Sequence, residues 1–163
     1  MTTRDETTVP EEHLRYRQHQ QNLAAATDTT EPELVATVLR DPDSAMAESA
    51  VSAHLDIRAA QLIQLGADRF DQWADAIAEQ ITAHDFLTRR LHEWTLLKSI
   101  TLNHSWSPDE LRTATDWLQR KAADTITTPD ALTLLAEQGR TRRVRNTAAH
   151  RLRRTPHSHE SAP

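Results

Sequence analysis

The sequence predicts an all-α protein, and three observations carry that prediction. The chain has two glycines in 163 residues. Tight hairpins, phosphate-cradling loops and nucleophile elbows draw on glycine for positive φ, so their supply is almost nil. Apolar residues recur at helical spacing along most of the chain, and no stretch alternates as a half-buried strand does. Proline and hydroxyl or acidic residues stand together at the starts of several apolar-periodic stretches, as helix caps do. The expected architecture is seven or eight helices in antiparallel hairpins, arranged as a short solenoid or a compact bundle. Residues 31–154 are expected to form one domain, preceded by a polar segment (1–30) that is partly helical or disordered and followed by a disordered tail (155–163).

In order, Pro10 to Ala26 can form a first helix, with Glu11 and Glu12 at its positive end. Its apolar residues Leu14, Tyr16 and Leu23 make a poor stripe. Thr30 and Glu33 fit a capping box ahead of Leu34, Val35, Val38 and Leu39. Asp41-Pro42-Asp43-Ser44 reads as a turn that caps a helix carrying Met46, Ala50, Val51 and Leu55 and ending at Gly66. Phe70, Trp73, Ala74, Ile77 and Ile81 then give the cleanest amphipathic pattern in the chain.

The stretch from His84 to Trp106 is expected to be the central helix, because its apolar positions from Phe86 to Leu102 cover more than half of the wheel. Ser107-Pro108-Asp109-Glu110 opens a helix expected to run through Leu111, Ala114, Leu118 and Ala122. Thr128-Pro129 opens another that Gly139 stops, and a last helix runs from about Thr141 to Arg154 with Val144, Ala148 and Leu152 inward.

A shift of 97 residues lays Pro32 on Pro129, Val38 on Leu135, Ser44 on Thr141, Val51 on Ala148 and Leu55 on Leu152. Val144-Arg145-Asn146-Thr147-Ala148-Ala149-His150-Arg151-Leu152 resembles the second helix of HEAT repeats, and Asp41-Pro42-Asp43 with Met46, Ala50 and Ala53 resembles their turn and helix. The resemblance spans about 50 residues and departs at Ala47, where the family carries arginine. It implies a scaffold that binds another macromolecule and performs no chemistry.

Composition narrows the function classes. There is no cysteine, hence no thiolate metal site or disulfide. No H-E-x-x-H occurs, and His157 with His159 forms only an H-x-H near the end. No G-x-S-x-G or phosphate loop is present. No catalytic residue, metal or cofactor is therefore expected, and the chain is read as no enzyme. The N-terminus lacks an apolar run and no 18 consecutive residues are apolar, so a cytoplasmic protein without a membrane span is expected. Seventeen arginines against two lysines suggest a GC-rich bacterial genome.

Charge is unevenly placed. Residues 140–163 hold seven arginines and one acid, while residues 1–139 hold 12 basic and 23 acidic side chains. Arg140, Arg142, Arg143, Arg145, Arg151, Arg153 and Arg154 are the candidate binding residues, expected to meet carboxylate or phosphate by charge-assisted hydrogen bonds. A protein partner is the first expectation. A nucleic-acid-binding regulator using the same arginines is the second, since the turn at Gly139 resembles a helix-turn-helix with both spacings one residue short. The same arginines also suit pairing with the acidic remainder of the chain.

Overall fold

In a computed structural model, which describes residues 9–155, the chain is all-helical, with nine helices and no strand among those residues. They are α1 (Glu11–Ala24), α2 (Glu31–Val38), α3 (Ser44–Leu65), α4 (Ala67–Ile81), α5 (Asp85–Thr101), α6 (Pro108–Thr113), α7 (Asp116–Thr125), α8 (Pro129–Gln138) and α9 (Arg142–Arg154). Residues 156–163 of the expected tail, His157 and His159 among them, lie outside the described residues. No described helix is long and apolar enough to cross a membrane.

The helices fall into two compact units, one reaching Leu91 and the other starting at His92. The division lies inside the span 31–154 that the sequence reading takes as one domain, and within α5.

In the first unit α1 packs on α3, α3 on α4, and α2 mainly on α4. Two-sided demand shows in α3, which buries Ala47, Ala50, Val51, Leu55, Ala59, Leu62 and Ile63 along 22 residues. Asp43 caps it, accepting from Met46 N–H at 3.0 Å. Gly66, at φ 108°, ends it and starts α4 without a linker. Phe70, Trp73, Ala74, Ile77 and Ile81 are all buried, as their spacing predicts.

The polar segment contributes α1 because polar contacts supply what its stripe lacks. His19 Nε2 lies 2.9 Å from Asp41 Oδ2, and Asp43 N–H donates to Asp41 Oδ1 at 2.9 Å. The His19 hydrogen bond, with that from Asp43, holds the Asp41 carboxyl below the usual range. Thr30 is a correction. It precedes α2 but bonds to Thr27 and caps no N–H of the helix, so the capping box does not form.

In the second unit α8 and α9 form the most extensive pair, α9 also packs on α7, and α6 on α8. The predicted helix from Pro108 to Ala122 is broken, which raises eight expected helices to nine. Ser107 caps its start, accepting from Glu110 N–H at 3.4 Å. At Ala114 the backbone turns extended, and Thr115 caps a new helix through Leu118 N–H at 3.3 Å. The break is held by buried side chains. Glu93 of α5 accepts from Thr115 N–H and Oγ1–H, both at 3.0 Å. Gln119, fully buried, donates its amide to the Leu111 and Arg112 carbonyls at 2.9 and 3.1 Å, satisfying acceptors that an unbroken helix would have used itself.

α5 buries Leu87, Leu91, Glu93, Trp94, Leu96, Leu97, Lys98 and Ile100, but it ends at Thr101, so Leu102 and Trp106 of the expected central helix lie beyond it, half-buried. Phe86 departs from that pattern, 46% exposed beneath Arg90 at 5.4 Å from its ring centroid. Asn103, at φ 56°, stops the helix, with His104 N–H returning to Ser99 O at 2.8 Å.

Between α8 and α9, Gly139 has ordinary φ but no room. A Cβ there would lie 2.5 Å from Leu135 O and 2.7 Å from Val144 Cγ1. Gly139→Ala is expected to destabilise the protein by about 2 kcal/mol through overpacking, read as a fall in urea midpoint. A neutral result would mean that the α8–α9 pair yields freely.

Candidate functional site

The helix that carries most of the candidate arginines is built simply. Thr141 caps α9, its Oγ1 accepting from Val144 N–H at 3.2 Å. Val144 and Ala148 are fully buried and Leu152 half-buried, which turns the opposite side outward.

The seven arginines divide into two groups. Arg140 donates from Nη1 to Ala114 O at 3.0 Å, and its backbone N–H to Gln119 Oε1 at 2.8 Å. Arg145 Nη1 donates to Gly139 O and Arg151 Nη1 to Ala123 O, both at 2.8 Å. Ala114 is the C-cap of α6, Gly139 that of α8, and Ala123 lies in the last turns of α7. These three guanidinium groups satisfy carbonyls at the negative ends of helices, where a cation is also favoured by the dipole. They bind the protein to itself.

Arg142, Arg143, Arg153 and Arg154 form the second group. All are exposed, and among the described residues they make no hydrogen bond and no ion pair. At 100° per residue they share about 120° of the helix surface with Asn146 and His150, along roughly 18 Å of axis. Asn146 and His150 are exposed too. The candidate face is thus four arginines, an amide and an imidazole.

Two of the four carry a cost. Arg142 and Arg143 occupy the first turn of α9, which contains no acid. Positive charge at the positive end of a helix is unfavourable by roughly 0.3–1 kcal/mol per residue. Arg153 and Arg154 stand at the other end, where the dipole favours them.

A second polar cluster, in the first unit, went unseen in the sequence. Glu31, 1% exposed, accepts from His54 Nε2 at 2.7 Å, Trp73 Nε1 at 2.9 Å and Arg58 Nε at 3.1 Å. Arg58 Nη2 also donates to Asp28 at 2.8 Å. Burial works against the Glu31 charge, but the His54 and Trp73 hydrogen bonds and the Arg58 and His54 charges outweigh it. The carboxyl therefore titrates below its ordinary value. Its partners lie 23 to 42 residues away in sequence, on two other helices. Only an acid at the start of α2 marks it locally.

Among the described residues no three His, Asp or Glu side chains are grouped to hold a metal ion. Fold and site together define an all-helical chain with one cationic helix face. No family model matches it, and no curated protein or solved structure shows significant similarity to it.

Proposed function

We propose that the protein is a non-catalytic interaction module of the bacterial cytoplasm that presents the outer face of α9 to an acidic surface on a protein partner. The contrast within the arginine set carries this reading. Three arginines donate to carbonyls, whereas four stand exposed and make no hydrogen bond or ion pair among the described residues, two of them at a helix end that disfavours them. A guanidinium meets a carboxylate through two parallel hydrogen bonds, and an acidic patch about 18 Å long would engage all four. The likeness of residues 144–152 to a HEAT-repeat helix agrees with a scaffold role. Residues 1–139 carry a formal −11, which repels an extended polyanion more than a compact acidic patch.

A nucleic-acid-binding regulator is the second reading. It is favoured by the three-residue turn between α8 and α9, and by two outward arginines at the start of the second helix, where helix-turn-helix proteins place base contacts.

The test is fluorescence anisotropy with a labelled glutamate-rich peptide and a labelled mixed-sequence duplex, each at 20 and 150 mM salt. The wild type is compared with R142E/R143E and with the charge-matched control R17E/R89E. For the peptide, the α9 variant is expected to lose at least tenfold in affinity and the control to stay within twofold. Equal losses in both variants, or no peptide binding at 20 mM salt, would defeat the proposal. Tight duplex binding that collapses with salt would replace it with the second reading.

A further inference from the structure

The first unit contains a cavity of about 380 Å³ between α1 and α3. Its size falls within the range of sites that enclose small molecules. Its lining combines apolar side chains, among them Leu23, Ala53 and Ile57, with the polar Gln20, His54 and Arg58. We propose that this cavity binds a small monocarboxylate carrying a short apolar body, with Arg58 as the anchor of the carboxylate.

Arg58 is fixed from behind. Its Nε is spent on Glu31 and its Nη2 on Asp28, while Nη1 makes no hydrogen bond among the described residues. A guanidinium held through Nε and Nη2 keeps the N–H bonds of Nη1 for a ligand with little entropy left to lose, which is the preorganisation that anion recognition needs. His54 is oriented in the same way. Nε2 faces Glu31 at 2.7 Å, leaving Nδ1 without a partner among the described residues. One buried carboxylate thus positions two of the polar side chains that line the cavity, His54 and Arg58.

The charge balance selects the ligand class. Arg58 and Arg69 are matched by Glu31 and Asp28, with Arg69 Nη2 3.6 Å from Asp28. The formal charges of these four side chains cancel, so a dianion such as a phosphate monoester gains little from them, whereas a monoanion can be met by the N–H bonds of Arg58 Nη1. The apolar part supplies the rest of the affinity. Ile57 stands 60% exposed at the mouth, and a ligand body against it removes apolar surface from water.

The test uses the full chain with hexanoate and benzoate, against hexanamide and benzamide as neutral isosteres, by calorimetry and by ¹³C-methyl shifts. Both acids are expected to bind with Kd on the order of 0.1–1 mM, and the amides at least tenfold more weakly. Shifts should concentrate at Leu23, Ala53 and Ile57 and spare Val144 and Leu152. Arg58→Gln should weaken the acids at least tenfold. Because that variant also disturbs Glu31, Ala53→Trp is the second arm, filling the cavity from its rim and abolishing binding with the circular dichroism spectrum unchanged. Acids and amides binding alike, no binding below 10 mM, or wild-type affinity in Ala53→Trp would each overturn the proposal.

Discussion

Trp94→Ala is expected to lower the unfolding free energy by about 4 kcal/mol, within the range for truncating a buried tryptophan. Trp94 is 1% exposed and meets Trp117 of α7 edge to face, with ring centroids 5.7 Å apart at 65°. Lys121 Nζ lies 5.7 Å from the centroid of the same ring. Truncation removes the transfer energy of the indole, the aromatic pair and a cation–π contact, and leaves a void that close-packed neighbours fill only in part. Urea unfolding followed by far-UV circular dichroism measures the loss, and amide exchange should show α7 opening earlier. A change below 1 kcal/mol would mean that Trp94 is not a core residue of its unit. Against a typical stability of roughly 5–15 kcal/mol, the expected loss leaves a protein that folds marginally.

Glu31→Ala is expected to cost about 3 kcal/mol near neutral pH, since removing one partner strands the other charge and its hydrogen-bond donors. Arg58, His54 and Trp73 lose a shared acceptor together. Arg58 retains Asp28 and is 22% exposed on its side chain, which places the cost at the lower end for a buried pair. The effect carries a pH signature. The Glu31 carboxyl titrates lower in the folded chain than in the unfolded one. Its contribution is therefore complete above the ordinary glutamate value of about 4.3 and disappears as pH falls through the lower folded value. Urea midpoints of wild type and variant should be far apart at pH 6 and converge toward pH 3. A gap that stays constant or widens on acidification would show that the cluster does not hold a charged carboxylate.

Both residues illustrate what local pattern conveys. Trp94 lies in a stripe whose breadth already implies burial on most sides, and its burial was legible from spacing alone. The same holds for Phe70, Trp73, Ala74, Ile77 and Ile81, and for the cap at Ser107. Glu31 was not legible. An acid at the start of a helix is ordinarily explained by the dipole, and nothing nearby announces that a histidine, an arginine and a tryptophan from α3 and α4 converge on it.

The arginines show the same division within one short segment. Their number and crowding are plain in the sequence, as is the inward stripe of Val144, Ala148 and Leu152. That Arg140, Arg145 and Arg151 donate to carbonyls of α6, α8 and α7, while Arg142, Arg143, Arg153 and Arg154 have no partner among the described residues, is not. Each of the three must reach a helix end whose position depends on where that helix stops.

That dependence also explains the count of helices. Local periodicity carries the chain from Pro108 to Ala122 without interruption, yet Glu93 and Gln119 hold Thr115 in a break. The helical class, the Ser107 cap and most of the buried faces were determined by the sequence alone, because they arise between residues within about four positions of one another. The interrupted helix, the Glu31 cluster and the sorting of the arginines were decided only in the tertiary structure. They join polar atoms from separate helices, and such partners carry no periodic trace along the chain.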